Sequence, residues 1–481
     1  MASSIYSRRR FLRSTAALTG SAFAVPNILL RGQDGAGKRL NLAQIGAGGK
    51  GQSDTAYVTL EHNIVAMVDV DQKRLEGAAK AREKHHLAAN QPAPPAPKLY
   101  TDFRKMLDEM GKEIDGVMIA TPDHTHFLAA MWCLKHGKHI CVQKPLCNTI
   151  WEVRELHKAA KEAKVVTQMG NQGRTMEGQR MAKEWIEQGR IGKLQEIKLW
   201  TNRPIWPQGI IGKKLVDVPE GFDWDLWLSS TPMEPHFDLD LPPEKQSKRG
   251  TSVHPFAWRG WWQWGSGALG DMGCHIMDAT FNILGQVIPT KIEVESSEIS
   301  DLHAPQWTSL KYHMPATDKY PALTVSWNDG SKDGVPNKPE KPDMIKEDTW
   351  KKATSGMMFI GSEGLVFEGD AYCEHPRLFP EEKYTEARKA LIDGSHKKTE
   401  ARSPTPGNPQ LEWAHCIVNG GTPGSNFDYS AALTEFVLLG NLAIRSKQAI
   451  SWDKEAMKVT NVEAANQYIK RASYRPGWLP V

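Results

Sequence analysis

The sequence lacks a charge imbalance, and this excludes one class of partner. Lys and Arg number 60 against 56 Asp and Glu, a formal net charge of +4, and both signs are spread along the chain. A protein that binds nucleic acid through its phosphates needs a basic stripe or patch. We therefore expect no nucleic-acid partner.

Metal-ligand and disulfide patterns are also missing. The six cysteines include no CxxC pair, and Cys133, Cys141 and Cys147 fall in apolar runs. This predicts buried free thiols rather than disulfides or metal ligands. The histidines show no short cluster with the spacing of zinc ligands, so we expect no metal ion.

Beyond the first thirty residues, no apolar run approaches the ~20 residues that a membrane-spanning helix needs. The N-terminus differs, because the basic block Ser7–Arg13 precedes an apolar stretch, Ser14–Ala24, that ends in Ala-Phe-Ala. This order is typical of a twin-arginine signal peptide; the alternative is a basic, disordered N-terminus followed by a short helix. We predict a signal peptide and linker over residues 1–37. The protein should be periplasmic or otherwise exported by the twin-arginine route, with no membrane segment after signal removal.

From Lys38 onward, short apolar runs alternate with helical stretches. Runs at 40–45 and 64–70 flank a glycine turn and a helix, and further strands are predicted at 116–120 and 139–142. Parallel strands need such helical crossovers. We predict an α/β fold whose N-terminal domain, residues 38–170, is a Rossmann dinucleotide-binding domain.

After residue 170 the pattern changes to about sixty residues dense in Trp, Pro and Gly, followed by a predicted helix over 271–284. Later runs such as 291–295 and 323–327 alternate apolar and polar residues, as antiparallel strands do. We predict a second α/β domain, residues 171–481, with a large, mostly antiparallel open sheet that supports the substrate. Trp258, Trp261 and Trp262 suit the apolar faces of a pyranose, or they pack the loop.

The first chemical motif is the glycine turn. Gly46, Gly48 and Gly51 form a G-x-G-x-x-G pattern where a strand becomes a helix, so the backbone can approach a pyrophosphate. Asp69 ends the second strand, where its carboxylate would accept hydrogen bonds from the adenosine ribose. The same carboxylate would repel a 2′-phosphate. NADP is therefore the less favoured cofactor, even with Arg74 nearby, and we predict NAD.

Two further segments follow apolar strands, at the edge where open α/β sheets bind ligands. The first contains, in order, Thr121, Pro122, His124 and His126. Its histidines either contact the ligand or cap and pack the following helix. The second segment contains Lys144, and a lysine at this edge is costly to bury unless it faces a polar ligand. The alternative is a solvated surface lysine.

A third segment places an acid and an imidazole on one helix. Asp271 and His275 are four residues apart, so their side chains point the same way and can serve one substrate. The competing interpretation makes Asp271 a helix N-cap and His275 a core histidine.

These segments together resemble the Gfo/Idh/MocA oxidoreductases, the family of glucose-fructose oxidoreductase and inositol dehydrogenase. The resemblance rests on the glycine turn with Asp69, TPDHTH at 121–126, QKP at 143–145, GNQ at 170–172 and GDMGCH at 270–275. It spans residue 38 to the C-terminus and implies a Rossmann domain followed by a substrate domain that often forms an oligomer interface, so we expect a homo-oligomer. One departure is visible: the family usually has Glu where this chain has Gln143, so any electrostatic help to the lysine is missing or comes from elsewhere.

The resemblance also implies roles for individual residues. Lys144, Asp271 and His275 are the expected catalytic residues. The expected cofactor-binding residues are Gly46, Gly48, Gly51, Asp69, Thr121, Pro122, His126, Lys144 and Asn171. The expected reaction is hydride transfer from a carbinol of a sugar, glycoside or cyclitol to NAD. His275 acts as general base, Lys144 donates to the developing alkoxide, and Asp271 orients the histidine or holds a neighbouring hydroxyl.

An exported enzyme cannot readily recycle free NAD, so we expect tightly held cofactor. It would be reoxidised in a second half-reaction or used in a redox-neutral reaction. Two alternatives remain open: a redox-neutral NAD-dependent glycosidase or epimerase, and a catalytically inactive nucleotide-binding relative.

Overall fold

The structure, a computed structural model, describes residues 39–243, 246 and 251–480. The predicted export signal lies outside the described residues, so the signal and the exported location remain predictions. Within the described part, no helix combines the length and apolar character needed to cross a membrane.

The first part of the described chain forms a parallel sheet with the strand order β3-β2-β1-β4-β5-β6. Its strands are β1 Asn41–Ile45, β2 Asn63–Val68, β3 Lys98–Tyr100, β4 Gly116–Ile119, β5 His139–Val142 and β6 Thr167–Met169. Its helices are α1 Lys50–Val58, α2 Gln72–Ala88, α3 Phe103–Met110, α4 Asp123–Lys135 and α5 Ile150–Ala163. The strand order reverses between β1 and β4, which opens a crevice at their carboxyl ends. The predicted Rossmann fold is confirmed.

The remaining described chain forms a large mixed sheet in the order β16-β15-β14-β7-β12-β11-β10-β17-β18, with β13 paired to β12 and a separate β8–β9 ribbon. Its strands are β7 Leu194–Thr201, β8 Gly212–Leu215, β9 Phe237–Asp240, β10 Lys291–Ser296, β11 Trp307–Met314, β12 Leu323–Lys332, β13 Val335–Pro336, β14 Ser355–Gly361, β15 Gly364–Glu368, β16 Arg377–Phe379, β17 Ile450–Asp453 and β18 Lys458–Val459. β7 and β12 pair in parallel, and the other pairs of this sheet are antiparallel. The predicted mostly antiparallel sheet is confirmed.

Helices cover this sheet and reach the first one. They are α6 Glu177–Glu187, α7 Trp224–Leu228, α8 Gly267–Ile283, α9 Glu347–Lys352, α10 Glu381–Ile392, α11 Pro409–Asn419 and α12 Phe427–Ser446; single 3₁₀ turns occur at Gln172–Thr175, Ala257–Gly260 and Glu463–Tyr468. α8 and α12 are buried along almost their whole length and pack on each other.

The predicted boundary at residue 170 falls between the strands of the two sheets, but one later segment packs in the core of the first sheet. Trp413 of α11 is fully buried in the same apolar cluster as β1 and β2. A Cβ added at Gly116 would lie 2.7 Å from the Trp413 ring, so this glycine makes room for the indole. A late segment of the chain therefore completes the core of the first sheet.

Two local features bear on the site. α8 begins at Gly267, four residues before the predicted start, with Ser266 at its N-cap position. Asp271 therefore lies inside the helix, and the alternative that made it an N-cap is wrong. All six cysteines are free and five are buried, as predicted.

Candidate active site

A cavity of about 1080 Å³ opens at the carboxyl edge of the parallel sheet. Its lining includes the glycine turn, the end of β2, the β4–α4 connection and Lys144 from the first sheet. α8 and the loop 369–372 after β15 line the other side. The strand-order reversal and the second sheet together form this cleft.

The glycine turn is shaped for close approach of backbone to ligand. Gly46 has a φ of +76°, and a Cβ there would lie 2.7 Å from the carbonyl oxygen of Ala120. A Cβ at Gly51 would collide with the carbonyl oxygen of Gly46. Gly46 and Gly48 line the cavity, whereas Gly51 lies behind them and lets the first turn of α1 pack against the strand end.

Asp69 lies where the ribose-binding carboxylate was predicted. Its Oδ2 accepts a hydrogen bond from the Gly48 amide at 2.9 Å, and its Oδ1 accepts one from the Asp71 amide at 3.1 Å. Burial raises the pKa of this carboxyl, and the two amides oppose that rise. The side chain of Arg74 stands over Gly48 and also lines the cavity. A carboxylate and a cation thus share this end of the cavity.

Lys144 and Asp271 meet on the other side of the cavity. The Lys144 Nζ donates to Oδ1 of Asp271 at 2.9 Å and to its carbonyl oxygen at 2.6 Å. Nε of Arg259 donates to the same Oδ1 at 3.1 Å. Burial alone would raise the pKa of Asp271, but the two cations hold it well below its usual value. Asp271 is therefore a carboxylate that fixes the lysine, and Lys144 is not a solvated surface lysine.

His275 lies one helical turn after Asp271 and lines the same cavity. The residue is 5 % exposed, and its Nδ1 atom is buried without a hydrogen-bond partner. The ring of Tyr372 packs edge-on against the imidazole, with 5.0 Å between the ring centroids. Burial and then the Lys144 charge hold the pKa of His275 well below 6.5, so the imidazole is neutral at physiological pH. A neutral imidazole facing the cavity is able to accept a proton.

The structure brings most of the predicted residues to the cavity, but not all. Thr121 and Pro122 line it beside Lys144. His126 does not: both ring nitrogens lie at hydrogen-bond distance from backbone carbonyls, those of Pro145 at 2.8 Å and Thr121 at 2.9 Å. Burial lowers the pKa of His126 to about 4. The prediction that it contacts the cofactor is not supported, because its ring braces the two segments that carry Thr121 and Lys144.

Asn171 and His124 are also withdrawn from the cavity. The Asn171 amide is fully buried and donates to Asp278 at 2.9 Å. Nε2 of His124 lies 2.9 Å from the carbonyl oxygen of Trp227, and the two rings are in contact. Both side chains hold segments of the second sheet's part of the chain against the first. For His124 this is the packing interpretation. For Asn171 it corrects the prediction that the residue binds the cofactor.

Gln143, where the family usually has Glu, does not contact the lysine beside it. Its amide donates to Oδ2 of Asp54 at 2.8 Å, and Lys50 donates to Oδ1 of that carboxylate at 2.6 Å. The carboxylate nearest Lys144 is instead that of Asp271. The electrostatic help that a glutamate would give the lysine therefore comes from Asp271 of α8.

Several cavity residues carry no signal in the sequence that could have identified them. Arg203 follows β7, Arg259 lies in the Trp-rich segment, and Tyr372 follows β15. They line the cavity together only in the folded chain, because they come from segments far from the glycine turn in the sequence. Lys50 is different, since it lies inside the glycine motif at one of the positions the pattern leaves free.

The Trp-rich segment mostly packs on itself. Trp261 and Trp264 are buried in one aromatic cluster with Trp224 and Trp227, while Trp258 reaches the cavity and lies under the Arg259 guanidinium at 4.3 Å. The packing interpretation holds for Trp261. Trp258 is the tryptophan of the predicted trio that remains available to a ligand.

The residues present fit a nicotinamide dinucleotide. The glycine turn leaves space that a Cβ would fill, and a carboxylate follows β2, as a pyrophosphate and a ribose require. Among residues 39–243, 246 and 251–480, no group of three or more His, Cys, Asp or Glu side chains is arranged to hold a metal ion.

Two family models match the chain. The first, an oxidoreductase family with an NAD-binding Rossmann fold, matches residues 40–171. The second, the C-terminal alpha/beta domain of an oxidoreductase family, matches residues 200–319. Together they cover just over half of the chain.

Similar proteins include two sugar or cyclitol dehydrogenases. The levoglucosan dehydrogenase of Pseudarthrobacter phenanthrenivorans is 27% identical over 186 residues, 39% of this chain and 36% of that protein. The myo-inositol 2-dehydrogenase of Thermotoga maritima is 26% identical over 110 residues, 23% of this chain and 32% of that protein. The alignments thus span about a third of the length of these relatives.

Solved structures share the fold over most of the chain. Levoglucosan dehydrogenase in complex with NADH and levoglucosan superposes with a TM-score of 0.55 at 16% identity, covering 86% of this chain and 99% of that one. The WlbA dehydrogenase from Bordetella pertussis, in complex with NADH and UDP-GlcNAcA, gives a TM-score of 0.56 at 15% identity, with the same coverage. At these identities the likeness shows the fold.

Proposed function

The chain belongs to the Gfo/Idh/MocA family of oxidoreductases, and on this premise we propose that it is an NAD(H)-dependent enzyme acting on a hydroxyl of a sugar, glycoside or cyclitol. One observation carries the proposal: Lys144, Asp271 and His275 line the same cavity as the glycine turn and Asp69. The dehydrogenases of levoglucosan and inositol among its relatives support this substrate class.

The cavity residues divide the proton chemistry between them. His275 is neutral and takes the hydroxyl proton. Lys144 donates a hydrogen bond to the oxygen as negative charge develops on it. Asp271 holds that ammonium in place, with Arg259 on the same carboxylate oxygen. NAD, when bound, supplies the hydride acceptor.

The Trp-rich segment supports a tightly held cofactor. The backbone amide of Gln72 donates to the carbonyl oxygen of Gly221 at 2.9 Å, and the backbone amide of Asp223 donates to that of Val70 at 2.9 Å. His254 adds a contact to Asp71 at 3.3 Å. These bonds fasten the segment across the end of β2, beside Asp69, so a dinucleotide leaving this end would have to displace it. Retention favours a second half-reaction or a redox-neutral cycle, including epimerisation or glycoside cleavage.

Export and oligomerisation are further parts of the proposal. The basic block and apolar stretch before residue 25 support export by the twin-arginine route. Replacing Arg8 and Arg9 with lysine and fractionating cells tests this, and unchanged export would contradict it. The family resemblance supports a homo-oligomer, which light scattering of the purified protein would measure.

Analysis of the protein as isolated tests the central proposal. We expect mass spectrometry to find a nicotinamide dinucleotide in the protein purified from its native compartment. A panel of sugars, glycosides and cyclitols should then change the absorbance of the bound nicotinamide, and product analysis separates net oxidation from glycoside cleavage. Absence of nucleotide, with a need for millimolar added NAD, would overturn tight retention. Bound nucleotide without hydride transfer across the panel would favour an inactive relative.

A further inference from the structure

A second ammonium, that of Lys50, reaches the cavity beside the end of β5. Lys50 lies in the glycine turn, its side chain is 34% exposed, and it lines the cavity. Its Nζ lies 2.6 Å from Oδ1 of Asp54, one helical turn along α1. This lysine is not one of the residues that the proposed proton chemistry uses.

A buried junction holds Lys50 in place. Asp54 is 1% exposed, and its carboxylate accepts from Lys50, from Gln410 of α11 at 2.9 Å and from Gln143 at 2.8 Å. Burial would lower the pKa of Lys50, but the Asp54 carboxylate raises it above its usual value, so the side chain remains an ammonium. Because Asp54 lies behind the lining and Lys50 lies in it, the cavity faces the positive end of the pair.

The position of Lys50 assigns it to one end of the cofactor. The Asp54 carboxylate accepts from Lys50 at 2.6 Å and from the side chain of Gln143 at 2.8 Å, and Gln143 directly precedes Lys144 in the chain. Asp69 and Arg74 mark the adenosine end instead. Hydride transfer requires the nicotinamide to meet Lys144 and His275, so Lys50 belongs to the nicotinamide end.

We infer that Lys50 selects the redox state of the bound cofactor: its fixed ammonium favours the neutral reduced nicotinamide over the positively charged oxidised ring. This rests on the proposed function, since it needs a nicotinamide dinucleotide in the cavity. Like charges that share a cavity repel, more strongly where the local dielectric is low, whereas a neutral ring meets no such repulsion. The resting protein would therefore retain NADH in preference to NAD⁺, ready to reduce a carbonyl.

The bound cofactor itself gives the test. Wild type, Lys50→Met and Lys50→Arg are each equilibrated with an excess of an equimolar mixture of NAD⁺ and NADH. The experiment is done with protein first loaded with NAD⁺ and with protein first loaded with NADH, and agreement between the two shows that equilibrium is reached. Free nucleotide is removed by gel filtration, and the ratio of bound NAD⁺ to NADH is measured after denaturation. We expect Lys50→Met to raise this ratio about tenfold, about 30 mV for a two-electron couple. Lys50→Arg should keep the wild-type ratio because it keeps the charge.

Lys80→Met is the matched control, because Lys80 is exposed on α2 away from the cavity, and it should leave the ratio unchanged. Equal weakening of both forms in Lys50→Met would place Lys50 on the pyrophosphate and overturn the inference. An unchanged ratio with both forms still bound would also overturn it, while leaving the proposed function intact. Failure of the proposed function would show differently, as wild type that binds neither form.

Discussion

The ammonium of Lys144 lies 2.9 Å from the Oδ1 atom of Asp271, although 127 positions separate the two residues in the chain. The contact joins the end of β5 in the parallel sheet to α8 beneath the mixed sheet. We expected Asp271 to orient the histidine or hold a hydroxyl, but its carboxylate fixes the lysine. The acid therefore prepares the hydrogen-bond donor of the proposed reaction, while His275 stands free to act as the base.

Removal of the Lys144 ammonium should abolish most of the turnover. Lys144→Ala is expected to lower kcat by more than about a hundredfold, because the developing alkoxide loses its donor. Cofactor binding should persist, as measured by nucleotide content after purification. Lys84→Ala, at an exposed site on α2, is the control. Unchanged turnover in Lys144→Ala would remove this residue from the mechanism.

His275 should act as a base throughout the neutral pH range, because its imidazole is already deprotonated there. Its pKa lies well below 6.5, so the imidazole becomes protonated only at acidic pH. Wild-type kcat/KM should therefore show no decline from His275 between about pH 8 and pH 6.5. His275→Ala should lower turnover by more than about a hundredfold, and His375→Ala, whose side chain is 82% exposed, should not. The prediction is contradicted if wild-type activity falls with a group that titrates near pH 6.5 and the residual activity of His275→Ala does not show that fall.

Asp69 should determine the preference for NAD. Asp69→Ser removes the charge that would repel a 2′-phosphate and leaves Arg74 beside the turn, so the affinity for NADP relative to NAD should rise about tenfold or more. Affinity for NAD itself should fall, since the Gly48 amide loses its acceptor. Titration calorimetry measures both. Asp108→Ser, with a side chain 68% exposed on α3, is the control. If the ratio of the two affinities stays at its wild-type value, Asp69 does not discriminate between the cofactors.

Glu184 should link stability to acid pH. It is fully buried in α6 and accepts from His396 at 2.7 Å, from the Thr399 amide at 2.8 Å and from Arg402. Burial would raise the pKa of Glu184, but these donors, Arg402 first, lower it to about 2. A carboxyl whose pKa is lower in the folded state stabilises the fold fully above its unfolded pKa, near 4.5, and this contribution is lost as the pH falls toward 2.

Glu184→Gln should therefore lower the free energy of unfolding by about 3 kcal/mol at neutral pH, because Arg402 is left without this buried partner. Urea unfolding at pH 7 and near pH 3 measures the change, which should shrink at the lower pH. Glu386→Gln, exposed on α10, should have little effect at either pH. An equal loss in both variants would contradict the role assigned to Glu184.

Much of the fold could be predicted because the signals are local. The strand at 139–142 has the bounds that its apolar run indicates, and the strand at 116–119 ends one residue before its predicted end. The start of α8 could not be placed, since Gly267, Ala268 and Gly270 have little apolar pattern of their own. The first glycine of this helix packs closely on a distant segment, since a Cβ at Gly267 would lie 2.9 Å from the Cβ of Ala304.

The glycine turn, Asp69, Lys144 and the Asp271–His275 spacing follow from the sequence alone, because each is written within a few consecutive residues. Which side chains face the cavity depends on contacts between distant segments. His126 and Asn171 belong to the right segments, yet backbone carbonyls and Asp278 turn their polar atoms inward. Arg259 and Tyr372 line the cavity from segments after residue 170, whereas Lys50 lines it from the glycine turn itself. A burial pattern cannot reveal which residues share a cavity, because it reports whether a residue is covered and not what covers it.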